Sequence, residues 1–104
     1  MRDDVNRQVW LVRRPPPQGW LSEEDFRLVE TPLPQPAEGQ LLVRNHWLSL
    51  DPYMRGRMNA ARSYAPPQPL NEVMLGGTAG EVVASRHPDF AVGERVVGRL
   101  GWQE

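Results

Sequence analysis

Gln40-Leu-Leu-Val-Arg-Asn-His-Trp-Leu-Ser-Leu50 is the strongest strand signal in the chain, and it runs directly into Asp51-Pro-Tyr-Met-Arg-Gly-Arg-Met58. On an extended backbone Leu42, Arg44, His46, Leu48 and Leu50 share one face, and Leu41, Val43 and Trp47 share the other. Apolar groups on both faces predict a strand buried on both sides for much of its length, or bent across a barrel. Pro52 lacks the N–H that a ladder needs and stops the strand. Tyr53 to Met58 then reads as a short helical turn. Rigid scaffolds present binding groups at strand ends and in the loops that follow, so this junction is the first place to look for function.

The same punctuation recurs outward from it. Asn6–Arg13 holds Val9-Trp10-Leu11-Val12, a short β-branched and aromatic run stopped by Pro15-Pro16-Pro17. Gln18 to Asp25 is a polar loop in which Ser22-Glu-Glu-Asp25 is built to cap one helical turn. Phe26 to Thr31 alternates and ends at Pro32-Leu-Pro34-Gln-Pro36, which makes it a further strand. Ala37 to Gln40 is a turn, and Asn59 to Asn71 is an Ala- and Pro-rich loop with Tyr64 in its middle. Glu81-Val-Val-Ala84 follows a glycine-rich entry, His87 to Gly93 is a turn, and Glu94 to Leu100 is the next strand. Met1 to Asp4 reads as a loose charged terminus. Strands spaced by about ten residues and punctuated by Pro and Gly predict a small barrel or sandwich. One domain accounts for residues 1–104. The patterned sequence stops at Gly101-Trp-Gln-Glu104 with no closing punctuation, so it is expected to be a domain cut from something longer.

Composition narrows the function. Hydrophobic residues make up 39% of the 104 positions and charged residues 24%, ordinary soluble usage and enough for a core. Eleven prolines and nine glycines favour many short segments over long helices. A net charge of -1 supplies no basic field to draw nucleic acid or anionic membrane. All twelve basic residues are arginine, so neither a Schiff-base lysine nor a P-loop lysine is available. Cysteine is absent, which removes disulfides, thiolate nucleophiles and cysteine-ligated zinc. No apolar run of about 18 residues and no signal-peptide pattern occur, which predicts a cytoplasmic protein.

Several motifs need weighing. Gly76-Gly77-Thr78-Ala79-Gly80 is superficially a dinucleotide fingerprint, but that motif must follow a strand and open a helix. Here a strand-like Glu81-Val-Val-Ala84 follows. The glycines are instead expected to let a strand coil sharply or approach another backbone, with a place beside a cofactor as the alternative. His46 and His87 have no neighbours at ligand spacing, so metal binding is not expected. His46 reads as a packed or hydrogen-bonded core residue and His87 as a turn residue. Trp10, Trp20, Trp47 and Trp102 read by default as core or barrel-end packing. Arg55 and Arg57 admit two readings. They are a solvated loop face with one pair to Asp51, which the spacing favours, or guanidinium groups placed to hold a phosphate or carboxylate. Tyr53 and Tyr64 lie in polar, proline-bounded loops where a phenol can hydrogen-bond a ligand oxygen.

Five motifs in order carry a resemblance. They are Leu48-Ser-Leu-Asp-Pro-Tyr-Met-Arg-Gly-Arg-Met58, Ser63-Tyr-Ala-Pro-Pro67, Gly76-Gly-Thr78, Ser85-Arg-His-Pro-Asp-Phe-Ala-Val-Gly-Glu94 and Gly101-Trp-Gln-Glu104. Together, from about Asn6 to Glu104, they resemble the N-terminal domain of zinc-independent, NADP-dependent medium-chain oxidoreductases of the alkenal/one reductase group. That group includes prostaglandin reductases, plant double-bond reductases and bacterial curcumin reductases. The resemblance implies a mainly β fold: a GroES-like, partly open β-barrel with short helical turns, serving as the substrate-side domain. Zinc-dependent relatives carry a cysteine near the end of the matching strand, where Ser49-Leu50-Asp51-Pro52 stands here.

The implied reaction is hydride transfer from NADPH to the β-carbon of an α,β-unsaturated ketone or aldehyde. Tyr53 is implied as a catalytic and substrate-binding residue, Tyr64 and Trp102 as further substrate contacts, and Asp51 and Arg55 as loop supports. The Rossmann domain that binds most of the NADP would follow Glu104. No cofactor-binding residue is therefore assigned within the chain, no metal is implied, and the isolated domain is expected to be inactive. The implied partner is a small enone or alkenal, with no nucleic acid or membrane, and the full-length enzyme is expected to be a homodimer. Two other readings stand beside this one: a non-enzymatic β-barrel interaction module, and a quinone reductase of the same superfamily. Fold alone does not separate them.

Overall fold

The computed structural model describes residues 5–60 and 66–104. The expected loose terminus at Met1 to Asp4 and the centre of the Asn59–Asn71 loop, with Tyr64, lie outside the described residues. Among the described residues six strands and one short helix are formed: β1 (Val5–Leu11), β2 (Phe26–Pro32), β3 (Leu41–Leu48), α1 (Tyr53–Arg57), β4 (Glu72–Val73), β5 (Thr78–Ser85) and β6 (Arg95–Gly98). They make two antiparallel sheets in the orders β2-β1-β4 and β3-β5-β6. The mainly β expectation holds, with helix confined to short turns. Only β4, two residues long, went unread in the sequence.

Each element ends where its residues require. β1 stops before the Pro15–Pro17 run. Ser22 caps the single 3-10 turn Glu23–Asp25 as a capping box: its hydroxyl accepts from the Glu24 N–H, and Asp25 accepts from the Ser22 N–H at 3.0 Å. β1 pairs along its whole length with β2, from Val5 opposite Pro32 to Leu11 opposite Phe26. Its other edge takes β4 at Trp10 and Leu11. Farther along that edge the chain's last residues fit in, with Gln8 bridging Gln103 and the Val9 N–H donating to the Trp102 carbonyl at 2.8 Å.

The core lies beneath the first sheet. Leu11, Met54, Met58 and Met74 are buried together, and Phe26, Leu75 and Trp102 pack against them. Met54 and Met58 are four residues apart, so α1 turns one face inward and closes that sheet. Burying such side chains is worth about 1.5–3 kcal/mol each, which lets a five-residue helix persist that would be unstable alone.

β3 departs from the sequence reading. Its first five residues are half-buried, while His46, Trp47 and Leu48 are exposed, so it is not buried on both sides. The cause is its register. Asn45 lies opposite Gly80 and Trp47 opposite Ala79, which leaves His46 as an extra residue in a bulge. The bulge breaks the strict alternation and turns His46 outward, with its Nε2 3.8 Å from Glu81 Oε1. His46 is therefore no core residue. Trp47 is 75% exposed, and Trp20, on its loop, is 94% exposed; neither packs as expected of a core tryptophan.

The glycine run behaves as a packing device. A Cβ on Gly80 would stand 2.2 Å from the Arg44 carbonyl oxygen, so β5 touches the β3 backbone at the bulge. Gly76 is filled on its open side by Leu48 and Trp102, each about 3.0 Å from where its Cβ would be.

Candidate functional site

The end of β3 is tied to β5 before the chain turns. The Ser49 N–H donates to the Gly77 carbonyl at 2.9 Å, and the Ser49 hydroxyl donates to Asp51 Oδ2 at 2.7 Å. The Asp51 carbonyl then accepts the Met54 N–H at 3.1 Å, starting α1. Pro52 fits here because the first turn of a helix has no partner for its N–H. Tyr53 is the first residue of α1 and is 36% exposed. Met54, beside it, is in the core. The helix therefore presents a phenol from a fixed base.

Arginine side chains provide the rest of that base. Arg55 donates through Nη1 to Asn59 Oδ1 at 2.8 Å, and through Nη2 to the carbonyls of Pro16 and of Gly19, the latter at 3.1 Å. Arg57 Nε donates to the Pro66 carbonyl at 3.0 Å. From the other side, Arg14 donates to the carbonyls of Met58 at 2.9 Å and Gln68 at 3.0 Å. Gln68 is only 2% exposed; its amide donates to the Pro69 and Val73 carbonyls and accepts from the Leu75 N–H. These loops have no ladder to satisfy their carbonyls, and guanidinium groups, each with five donors, take its place. Among the described residues the expected pair of Asp51 with Arg55 or Arg57 is not formed; Asp51 accepts from Ser49 and both guanidinium groups are bound elsewhere. Apart from the bond to Asn59, the bonds of Arg55 and Arg57 go to backbone carbonyls, which is the structural one of their two readings.

Trp102 shares this core. Its ring stacks on Phe26, with centroids 5.6 Å apart and planes 17° from parallel, and its Nε1 is buried. Tyr53 and Trp102 thus belong to one packed unit, through Met54; Tyr64 lies outside the described residues. Arg14 and Gln68 are the supports that the sequence did not reveal. Their bonds reach carbonyls 44 or more residues away for Arg14 and a local loop for Gln68, and no spacing pattern encodes either.

Charged pairs lie at the margins. Asp25 is fully buried and accepts from Arg13 Nε at 2.9 Å. The backbone N–H of Ser22, and after it the Arg13 guanidinium, hold its carboxyl below the usual carboxylate range against the effect of burial. Glu104 is held low chiefly by its hydrogen bonds from Arg7, at 2.8 and 3.0 Å. Among the described residues no three metal-ligating side chains converge. A cavity of about 400 Å³ lies between the sheets, lined by apolar residues including Leu33, Leu41, Val43, Val96 and Leu100, and is not bordered by α1. The glycine run is no dinucleotide fingerprint: it lies in and before β5 and opens no helix. Leu48 and Trp102 fill the space at Gly76 and the β3 backbone that at Gly80, while a Cβ on Gly77 would make only ordinary contact, 3.9 Å from the Gly98 carbonyl oxygen.

A family model for the N-terminal domain of oxidoreductases matches residues 7–104. The chain belongs to that family. It is 50% identical over 99 residues to the NADPH-dependent curcumin reductase of Escherichia coli, covering 95% of this chain and 28% of that reductase. It also matches the crystal structure of CurA from Vibrio vulnificus with a TM-score of 0.90 and 49% identity, over 95% of this chain and 29% of that one. CurA from the same organism in complex with NADPH matches with a TM-score of 0.86 and 47% identity, over 94% and 29%. The domain thus spans under a third of the length of these relatives. Among the described residues no helix is long and apolar enough to cross a membrane.

Proposed function

We propose that this domain is the substrate-side wall of a cytoplasmic, homodimeric NADP-dependent oxidoreductase that reduces the C=C bond of α,β-unsaturated ketones or aldehydes. The observation that carries the reading is Tyr53, a part-exposed phenol on a helix pinned by buried methionines beneath and by arginine–carbonyl bonds around it. The family match and the NADPH-dependent relative support the reaction class. NADPH, which would be held by another part of the enzyme, would supply the hydride. Reduction of the C=C bond places negative charge on the carbonyl oxygen of the substrate. A preorganised donor aimed at that oxygen lowers the barrier because it need not reorient during the reaction. Tyr53 is proposed as such a donor; a proton then reaches the α-carbon. Asp51 and Arg55 keep the helix in place and touch no reacting atom, while Trp102 and Tyr64 are proposed as further substrate contacts.

The test is NADPH oxidation by the full-length enzyme with and without an added enone. Oxidation that depends on the enone supports the reading, and its absence overturns it. One donor of this kind is worth on the order of a hundredfold in turnover. Tyr53→Phe is expected to approach that loss, and unchanged turnover would remove Tyr53 from the mechanism.

A further inference from the structure

The helix that carries Tyr53 rests on a bed of methionine. Met54 and Met58 from α1 meet Met74, all three buried, with Leu11 as the fourth member of the cluster. Methionine is unbranched, turns about three bonds and fills a gap without fixing its outline. Apolar burial is also non-directional. Such a bed sets how deep α1 lies, but not how far it rotates or slides. Hydrogen bonds weaken steeply off axis, so they are the contacts that fix rotation.

Those bonds converge on one buried side chain. The Gln68 carboxamide, 2% exposed, stands beside Met74 as a neighbouring strand would. Its Nε2 donates to the Val73 carbonyl at 3.0 Å, and its Oε1 accepts from the Leu75 N–H at 3.1 Å. Met74 itself is already in the ladder: its N–H donates to the Val9 carbonyl of β1 at 2.9 Å, and its carbonyl accepts from the Trp102 N–H at 2.8 Å. The backbone of Gln68 then reaches the helix, with its N–H on the Arg57 carbonyl at 2.7 Å. Arg14 closes the link by donating to the Gln68 carbonyl and to the Met58 carbonyl. The last carbonyls of a helix have no partner within it, so these two residues cap α1 from outside. A run of hydrogen bonds therefore joins β1 to the end of α1, and Arg57 is one helical turn from Tyr53.

We infer that Gln68 and Arg14 are positioning residues for the reduction, which set the rotation of α1 and with it the place of the Tyr53 phenol. This rests on the reading of Tyr53 as the donor to the substrate oxygen. Neither residue is proposed to touch substrate, so their effect passes through Tyr53. A displacement of about 1 Å in a reacting group costs on the order of a hundredfold in rate.

The experiment measures kcat and KM for ethylideneacetone, with NADPH, in the full-length enzyme. Gln68→Met keeps the length of the side chain and removes its hydrogen bonds. It is expected to lower kcat about ten- to a hundredfold while KM stays within about threefold, because the lost interaction belongs to the transition state. Arg14→Met should act in the same way, and Arg14→Lys should recover part of the loss, since it keeps a charged donor. Thermal unfolding shows whether each variant is folded at the assay temperature; where one is not, the other carries the comparison. The deciding measurement combines each with Tyr53→Phe. Once the phenol hydroxyl is gone, Gln68→Met and Arg14→Met should each lower kcat by less than about twofold more. Losses that multiply instead, or a kcat unchanged in both single variants, overturn this inference and leave the reductase reading standing. Enone-dependent oxidation that Tyr53→Phe does not slow removes the phenol, and this inference with it, but keeps the reaction class. No enone-dependent oxidation by the wild type ends every one of these readings.

Discussion

The sheets β2-β1-β4 and β3-β5-β6 each have three antiparallel strands, but they are finished differently. The first is closed by α1 and Trp102, and four of the five buried hydrophobic side chains of the core, among the described residues, lie there. In the second only Val82 is fully buried, while a row across its strands, Trp47–Ala79–Val97, faces outward with Val97 85% exposed. One sheet is held by packing and the other by its ladder and by one close backbone approach. The phenol proposed for catalysis stands on the packed side, so its position is protected by the more stable half.

Substitutions that separate packing from pairing should expose this asymmetry. The largest effect is expected for Leu11→Ala, which opens a void in the closed core and should cost about 2–5 kcal/mol in urea unfolding. A loss below 1 kcal/mol would mean that the first sheet is not packing-limited. Gly80→Ala comes next. Its methyl group meets the Arg44 carbonyl, so β3 and β5 must separate locally, at about 1–3 kcal/mol. Hydrogen exchange should accelerate in β3 and β5 and leave β1 and β2 protected.

Acid should act more gently, and on the first sheet. Asp25 and Glu104 titrate lower in the folded state than in the unfolded one. Across that window the unfolded chain binds more protons, so stability present above about pH 4 is lost as the pH falls through the folded values. Asp25→Asn should lower stability near neutrality by about 1–3 kcal/mol and flatten the fall in acid, seen as a shallower dependence of Tm on pH. An unaltered slope would show that Asp25 carries none of it. The smallest effect is expected for Val97→Thr, within about 0.5 kcal/mol, because that side chain is already in water. A larger loss would reveal a cover on the second sheet.

Much of this was legible beforehand. Proline and glycine placed the strand ends, Ser22-Glu-Glu-Asp25 announced its cap, and Pro52 announced α1, because these are local rules of backbone chemistry. The chain-long set of motifs pointed to the family. The faces of β3 were not legible: a bulge at His46 depends on how β5 approaches, and alternation within one strand cannot say which side finds a cover. Likewise, the apolar character of Trp20 and Trp47 suggested burial, whereas the fold leaves both in solvent. Arg55 and Arg57 were read as candidates for Asp51 or an anion, whereas Arg55 meets carbonyls 36 and 39 residues away and Arg57 one in the loop that follows its helix.

Those guanidinium–carbonyl bonds set a working range for the wall that carries Tyr53. Their acceptors are neutral carbonyls, which have no proton to gain in mild acid, unlike a carboxylate. A dipole held at contact distance is also little weakened by dissolved ions, unlike an exposed pair of opposite charges. Acid or salt that loosens Arg7 from Glu104 at the seam with β1 should therefore leave the helix and its proline loop clasped. The Arg7–Glu104 seam should open early, and the proposed working face should be among the last parts to go.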